Sequence, residues 1–260
     1  MSFDLNNFII DRILRGVALS QKDDSVLFSI NQIQNASLNC ASESTDAVDA
    51  LGTPIATFFR SKSAEFSAEN ALFDMNLMAT QLGTSKKVAT ASKKITVPAM
   101  ETFTAPEGGK YELKHSPKTA PVEIYALNGD STFGTKYAKG TSASDTEFSI
   151  ADKTVSLPTG VAAGTDMFVM YEYETDKAVE VVNSATEFPV GCKFVMEVLG
   201  CDVCDQTTLI HAYVIFNNFK LSPDFDWSIA TDSTHPFSGK AQQDYCDKEK
   251  RLFSIVISEE

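Results

Sequence analysis

Between residues 25 and 83, several independent features predict two long strands followed by a helix. Apolar and polar residues alternate at the start of segment 26–40, and the extended pattern continues to its end. A second run, residues 55–66, is rich in the aromatic and β-branched side chains that strands favour. Between the runs, Gly52 and Pro54 predict a turn. We therefore expect a long β-hairpin here.

The residues after this hairpin predict a helix that flanks it. Ser67 is a suitable N-cap, and Glu69 would place negative charge in the first turn, where the helix dipole favours it. Gly83 stands where a C-terminal cap is expected. Apolar residues recur between them at helical spacing, at Leu72, Met75, Ala79 and Leu82.

The charge of the chain argues against a surface built to bind phosphate. The 260 residues carry a formal net charge of −13, whereas nucleic-acid binding draws most of its affinity from clustered Lys and Arg. An acidic surface instead lets nucleic acid pass without adsorbing, because like charges repel within about 8 Å at physiological salt. No apolar run reaches the ~18–20 residues that a membrane-spanning helix needs, so we expect no membrane insertion.

The N-terminus and the cysteines indicate synthesis in a reducing cytoplasm. Asp4 comes early and no basic region precedes an apolar stretch, so we expect no signal peptide. The five cysteines are an odd number and cannot all pair within one chain. Residues 3–19 fit either a short amphipathic helix or an extended arm, and their periodicity leaves both open.

From residue 101 to 175 the pattern changes to short strands separated by turn residues. Several short strands separated by turn residues in this way are typical of a small β-sandwich. We expect residues 101–175 to form an inserted immunoglobulin-like β module, and residues 1–100 and 176–260 to form one discontinuous β domain. The alternative is a set of elaborated loops on a single β domain. The fold class predicted is mainly β: a sandwich or half-barrel with a long hairpin and one flanking helix, plus the module.

The search for chemistry finds no complete motif, so we expect no enzyme and no cofactor. The three histidines lie in different predicted elements, and His211, within an apolar strand, is expected to be a hydrogen-bonded core residue. Cys201 and Cys204 have the spacing of two zinc ligands, but a tetrahedral site needs two more. They are weak metal candidates, and structural loop cysteines are the favoured interpretation.

A set of segments in this order is similar to a known family. Together they resemble the virion structural proteins of tailed bacteriophages, most of all the major tail tube proteins. The resemblance covers most of the chain. It lies in the residue patterns of the segments and in the order of the predicted elements. The segments are Thr45 to Gly52 leading into Ile55, Lys62 to Asn70, Gln81 to Gly83, Tyr171 to Tyr173, Asn183 with Phe188 and Pro189, and Ala241 to Cys246 before Leu252 and Phe253.

The resemblance implies a self-assembling structural protein of the virion tail. In that family, hexameric rings stack into a tube through which phage DNA passes during ejection, and long hairpins pair edge to edge into an inner β-barrel. It implies other tail proteins as partners: sheath, tape measure, baseplate or terminator. The module would lie on the outside of the tube. The resemblance makes Glu43, Asp46 and Asp49 candidates for the lumen. The candidates for the inter-subunit hairpin are Val26, Phe28, Ile30, Ile55, Phe58 and Phe59.

Two other classes of function stay open at this point. A capsid decoration or head–tail connector protein would also be acidic and rich in β-structure. A host-binding adhesin would use the immunoglobulin-like module for recognition. The long hairpin favours a tube over an adhesin, because an adhesin does not need one.

Overall fold

The computed structural model describes Leu5 and residues 7–118, 122–245 and 248–258. Within these residues the protein is mainly β, as predicted, with one helix, α1 (Met75–Gln81). The strands are β1 (Phe8–Ser20), β2 (Val26–Ile30), β3 (Ile33–Val48), β4 (Pro54–Asn70), β5 (Lys87–Val88), β6 (Ile95–Thr104), β7 (Lys110–Glu112), β8 (Glu123–Leu127), β9 (Phe133–Lys139), β10 (Glu147–Ala151), β11 (Thr154–Ser156), β12 (Asp166–Thr175), β13 (Val179–Glu180), β14 (Gly191–Asp202), β15 (Leu209–Leu221), β16 (His235–Ala241) and β17 (Ser254–Ser258).

The chain divides into two compact units. The first contains residues 1–86 and 181–260, and the second contains residues 87–180. The segment boundaries expected from the sequence, at 100/101 and 175/176, fall within β6 and at the end of β12. β5 and β13 pair with each other, so both ends of the second unit meet in one two-stranded sheet.

The first unit is a curled half-barrel sheet with the strand order β2-β1-β14-β15-β16-β4-β3, and β17 also pairs with β15. Curling lets the inner face of the sheet bury its side chains against one another. Phe66 on β4 lies at the centre of this core. Its ring centroid is 5.7 to 6.4 Å from the ring centroids of Phe194, Phe216, Phe219 and Phe237. Such pairs contribute about 0.5–1.5 kcal/mol beyond their buried area.

The predicted long hairpin is present as β3 and β4, joined by a turn at residues 49–53. The extent predicted for its first strand, residues 26–40, is partly wrong, because β2 ends at Ile30 and pairs with β1, and β3 begins only at Ile33. β1 itself takes the extended form of the two alternatives for the N-terminal segment, and it pairs with β14 along its length.

The helix begins later than the sequence predicted. Ser67 and Glu69 belong to β4, which continues to Asn70, because β3 and β16 pair with it on both sides. The N-cap is Asp74, whose carboxylate accepts the backbone N–H groups of Asn76 and Leu77 at 2.9 and 2.7 Å. An N-cap of this kind satisfies N–H groups that have no partner within the helix.

The predicted C-terminal cap of this helix is confirmed. Gly83 has a φ of +72° and donates its N–H to the carbonyl oxygen of Thr80, while Thr84 donates to Ala79. This pair of hydrogen bonds is a Schellman motif, which needs a left-handed residue at the position of Gly83.

The second unit is a separate β unit built on one seven-stranded sheet, with the strand order β6-β12-β8-β9-β10-β11-β7. The two end strands meet where the rings of Phe103 on β6 and Tyr111 on β7 stack with centroids 3.7 Å apart. β6 continues through Pro98, although a proline inside a strand removes one N–H donor. β6 is an end strand of this order, and an edge strand tolerates a proline because one side of it needs no N–H donor.

Candidate assembly surface

The β3–β4 hairpin has two halves with different surroundings. Its base is held in the sheet, because β16 pairs with β4 from Asn70 to Ala64 and because Ala64, Phe66 and Ala68 are buried. Between Ala64 and the turn, β3 is the only described strand that pairs with β4. We call residues 41–63 the arm. The arm therefore leaves the body of the unit as a bare two-stranded ribbon.

The candidates for the inter-subunit hairpin divide between two places. Ile55, Phe58 and Phe59 lie on the arm, where they are 72%, 55% and 71% exposed. Val26, Phe28 and Ile30 lie on β2, outside the hairpin.

Burial separates the three β2 candidates further. Phe28 and Ile30 are buried in the core of the unit, whereas Val26 is exposed. Phe28 and Ile30 are therefore corrected to core residues, because β2 packs its inner face against the same phenylalanine cluster as Phe66. A buried side chain is not available to a second subunit.

The register defines two faces of the hairpin. Residues that oppose each other in an antiparallel pair share a face, and successive residues of one strand alternate between faces. On β3, Leu38 opposes the buried Phe66, so the even-numbered positions from 38 to 46 form the face that we call the core face. The odd-numbered positions form the outer face.

These two faces continue onto the arm, where they separate two adjacent phenylalanines. An extra residue in β4 near Ser61, which has a φ of +52°, shifts the register between the base and the arm. Beyond it, Phe59 opposes Ser44 and Phe58 opposes Thr45. Phe59 therefore lies on the core face and Phe58 on the outer face.

The three acidic candidates do not share a face either. Glu43 lies on the outer face, opposite Arg60, and Asp46 lies on the core face, opposite Thr57. The hydroxyl of Thr57 donates to the Asp46 carboxylate at 2.7 Å. Asp49 lies in the turn, where its carboxylate accepts the N–H groups of Thr53 and Leu51, each at 2.8 Å, and these hydrogen bonds lower its pKa.

At the base, the outer face is polar and made of short side chains. Ser37, Ser67 and Ser238 form one row across β3, β4 and β16. In the next row, Asn39 and Lys240 flank Glu65, and Nζ of Lys240 lies 2.8 Å from Oε1 of Glu65. Sequence reasoning missed this surface, because pairing between β4 and β16 joins residues far apart in the chain.

A family model describes almost the whole of this architecture. The model of the YomU/Tube protein family matches residues 8–255. The chain belongs to this family. The resemblance to the tail tube proteins of tailed bacteriophages is therefore confirmed, and the family places the chain among the structural proteins of the phage virion tail. No individual curated protein matches it.

β3 has a long free edge. Within the described residues, β3 pairs with β4 alone, and all of its 16 residues are half-buried or exposed. Natural proteins protect such edges with lysine, proline or a short strand, and β3 contains neither lysine nor proline. A free edge of this length favours pairing with another chain.

The two weak metal candidates, Cys201 and Cys204, belong to no ligand cluster in the described part of the chain. Cys201 is half-buried at the end of β14 and Cys204 is exposed in the following turn, and both are free thiols. Among the described residues, no group of three or more His, Cys, Asp or Glu side chains is arranged to hold a metal ion. Nor does any helix in those residues have the length and apolar character needed to span a bilayer.

His211 is half-buried on β15, and it takes part in a charged cluster. Its Nδ1 lies 2.9 Å from Oε1 of Glu197, whose other carboxylate oxygen accepts Nε of Arg15 at 2.5 Å. Burial raises the pKa of Glu197, but the hydrogen bonds from Arg15 and His211 outweigh it, so the net shift is downward. The cluster joins β1, β14 and β15 across one sheet face and has the character of a structural ion pair.

Proposed function

We propose that this chain assembles into rings of six copies that stack into the tube of a phage tail, through which the phage DNA passes. The observation that carries the proposal is the arm. A ribbon with an unprotected backbone edge and exposed Phe58 and Phe59 is an aggregation hazard in an isolated monomer. Pairing with another subunit removes that hazard.

Ring closure accounts for the free edges on both sides of the arm. One edge belongs to β3, and the other belongs to β4 from Pro54 to Ser63. In a head-to-tail ring, the β3 edge of one copy meets a different edge of the next copy, and a closed rotation leaves none exposed. Rotation about the tube axis leaves the direction of each strand along that axis unchanged. The β3 strand of one copy and the β4 strand of the next copy therefore run in opposite directions, so the pairing is antiparallel around the whole ring.

We further propose that the outer face of the hairpin base lines the channel. The rows of Ser37, Ser67 and Ser238 and of Asn39, Glu65 and Lys240 offer small hydrophilic groups, and the lysine is already paired with Glu65. Phosphates would find no unpaired cation in these rows, so DNA would slide without adsorbing.

The three acidic candidates contribute less to this channel. Because Glu43 and Asp46 lie on opposite faces of the arm, one channel cannot receive both. Asp49 is engaged by the turn that it stabilises. We therefore assign the DNA-facing surface to the base of the hairpin.

The two units are proposed to act as separate domains, the first forming the tube and the second carried as a module. The pairing of Lys87 with Glu180 and of Val88 with Val179 supports this division, because it brings the two ends of the module together. Sheath, tape measure, baseplate or terminator proteins would then bind the assembled tube rather than the monomer.

The experiment that tests the proposed function is concentration-dependent assembly. Purified protein is concentrated stepwise and followed by sedimentation velocity and negative-stain electron microscopy. We expect hollow tubes, or stacked rings, above a critical concentration. A protein that stays monomeric at all concentrations contradicts the proposal, and a small closed oligomer without stacking would favour a decoration or connector protein.

A further inference from the structure

The sheet of the second unit carries aromatic rings on the face that points away from its core. Met167 and Val169 of β12 and Ile124 of β8 are buried in that core. Because successive residues of a strand alternate between faces, Phe168 and Tyr125 lie on the opposite face, where the register sets them side by side. An antiparallel sheet with one face towards water places polar residues there. Two neighbouring rings in this position therefore indicate a binding surface.

Phe133 of β9 joins these two rings into one group. Its ring centroid lies 5.0 Å from that of Tyr125 and 5.0 Å from that of Phe168, at interplanar angles of 40° and 58°. At such angles no ring lies flat on another, and the side chain of Phe133 is 60% exposed. Met100 and Met170 oppose each other on β6 and β12 and extend the group across the sheet. We call these five residues the aromatic face.

One ion pair stands beside the rings of the aromatic face. Nζ of Lys136 lies 2.8 Å from Oε1 of Glu123 and 5.5 Å from the ring centroid of Tyr125. The hydroxyl of Tyr125 donates to Oε2 of Glu123 at 3.0 Å. The two charges cancel, so this pair gives no attraction for an ionic ligand. An ammonium group has three protons and a carboxylate has several lone pairs, so the pair can still form hydrogen bonds with a neutral ligand.

The area of the aromatic face fits a small ligand better than a folded protein. It lies on the four adjacent strands β6, β12, β8 and β9. Four strands side by side are about 19 Å wide, and the face extends roughly 10 Å along them, which gives about 200 Å². A protein in a standard interface contributes about 800 Å². Binding sites for small ligands instead combine aromatic surface with a few polar groups that fix the orientation of the ligand.

We propose that the aromatic face binds a neutral saccharide chain. A sugar ring presents C–H groups on its flat side and hydroxyl groups at its rim. The C–H hydrogens carry partial positive charge and are attracted to the electron-rich faces of the aromatic rings. The rim hydroxyls are then placed to form hydrogen bonds with Glu123 and Lys136.

This binding belongs to the single chain and does not depend on ring assembly. Each copy offers one aromatic face of small area, so the affinity of one copy for a short saccharide is expected to be weak. An assembly with many copies would bind a long saccharide chain far more tightly, because each further contact is intramolecular.

The test is affinity electrophoresis of the full chain, at a concentration where it sediments as a monomer. Native gels are cast with hydroxyethyl cellulose, laminarin or yeast mannan, which are neutral polysaccharides, with the anionic dextran sulfate, or with no polysaccharide. Phe133→Ala is compared with Phe188→Ala, a matched control in the first unit whose side chain is 66% exposed. The unfolding temperature of each variant is measured to recognise a folding defect.

A second measurement needs no variant of an aromatic residue. The unaltered protein is labelled with ¹³C at the methionine methyl groups, and the signals of Met100 and Met170 are assigned from Met100→Leu and Met170→Leu. On titration with the polysaccharide that retards the protein most, these two signals are expected to shift, while those of the buried Met78 and Met196 of the first unit stay in place.

We expect at least one neutral polysaccharide to retard the unaltered protein. Phe133→Ala should weaken the apparent Kd at least about tenfold, and Phe188→Ala should leave it unchanged. The proposal fails if none of the three neutral polysaccharides retards the protein, if both variants behave alike, or if the signals of Met100 and Met170 do not move. Retardation by dextran sulfate alone would indicate an anion site and overturn it. A dimer in sedimentation that Phe133→Ala abolishes would show that a second copy occupies the face. None of these failures touches the proposed tube, since no residue of the arm is changed.

Discussion

Nε2 of His235 lies 2.8 Å from Oε1 of Gln81, and this pairing fixes which ring nitrogen carries the proton. Oε1 is an acceptor, so Nε2 is protonated and Nδ1 is free to accept the N–H of Asp74 at 3.3 Å. A neutral imidazole therefore links the end of α1, through Gln81, to the N-cap at Asp74. His235 is fully buried, and protonation would remove the acceptor.

The first prediction is that the first unit loses stability as the pH falls below about 6.5, the usual value for histidine. Burial lowers the pKa of His235, and the negative charge of Asp74 opposes this only in part. The unfolded chain then binds the proton more readily than the folded chain, so stability is complete above the unfolded pKa and falls with pH down to the folded pKa. Trp227, the one tryptophan of the chain, reports the change, because it stacks on Phe73 at 4.5 Å.

The control for this prediction is His235→Gln. We expect this variant to lose about 1–3 kcal/mol of unfolding free energy at pH 7.5, since it leaves buried polar partners poorly satisfied. We also expect a flatter dependence on pH between 7.5 and 5 than in the unaltered protein, measured by urea unfolding with tryptophan fluorescence. Parallel pH profiles for the two proteins would show that His235 is not the titrating group.

The second prediction compares two glycines with similar backbone angles. Gly83 (φ +72°) packs so closely on the backbone of Phe188 that a methyl group would overlap it, whereas Gly52 (φ +85°) has open space around it. Gly83→Ala should lower the unfolding free energy by about 2–4 kcal/mol, through left-handed strain plus overlap. Gly52→Ala should cost only about 1 kcal/mol, through strain alone. Equal losses in urea unfolding would mean that the contact with Phe188 has no energetic weight.

The third prediction concerns the polar group at the centre of the second unit. Glu101 is buried, and its carboxylate accepts the hydroxyls of Tyr171 and Tyr111 and the N–H of Lys114. Burial raises the pKa of this carboxyl, but the three hydrogen bonds outweigh it and lower the pKa overall. Glu101→Ala leaves three donors unpaired and should cost about 2–4 kcal/mol.

The matched control for Glu101 is Glu172→Ala. Glu172 is exposed on β12, and removing its carboxylate should change the unfolding free energy by less than about 0.5 kcal/mol. Thermal and urea unfolding of the full chain are followed by tyrosine absorbance, to which the second unit contributes Tyr111 and Tyr171. A loss no larger for Glu101→Ala than for Glu172→Ala would contradict the proposed weight of this network.

Local patterns predicted the hairpin well and its neighbours poorly. Alternation and the turn at Gly52 are local signals, and both indicate a hairpin. The faces of the arm could not be predicted, because they depend on the extra residue in β4 near Ser61. The start of the helix was wrong because Ala64, Phe66 and Ala68 form an inward stripe of small and large residues with a period of two. The apolar residues from Leu72 onward have helical spacing, and this made the preceding segment resemble the start of the helix. Leu72 itself is exposed.

Strand pairing accounts for what sequence reasoning could not find. β16 contains proline, serine and glycine, which indicate a turn rather than a strand. It is a strand because it pairs with β4 on one side and β15 on the other. Gly239 allows the ring of Phe219 to approach closely, since a methyl group there would lie 2.5 Å from that ring. Neither Phe219 nor β4 is near Gly239 in the sequence, so the polar outer face that β16 completes is a product of tertiary structure.

The fourth prediction identifies the wall of the channel by chemical labelling. Ser67 lies in the middle of the serine row on the outer face of the hairpin base, and it is exposed in the monomer. Ser67→Cys is made in a background in which Cys40, Cys201, Cys204 and Cys246 are serine. In assembled tubes, we expect the thiol to react with N-ethylmaleimide, which can diffuse along the channel, but not with a maleimide coupled to a folded protein. Below the critical concentration the same protein should react with both reagents, which controls for the reactivity of the thiol.

Reaction of intact tubes with the bulky reagent at the rate of the unassembled protein would place Ser67 on the outside. The channel would then have to be lined by a different face, because one side of a closed tube wall cannot face both the DNA and the solvent.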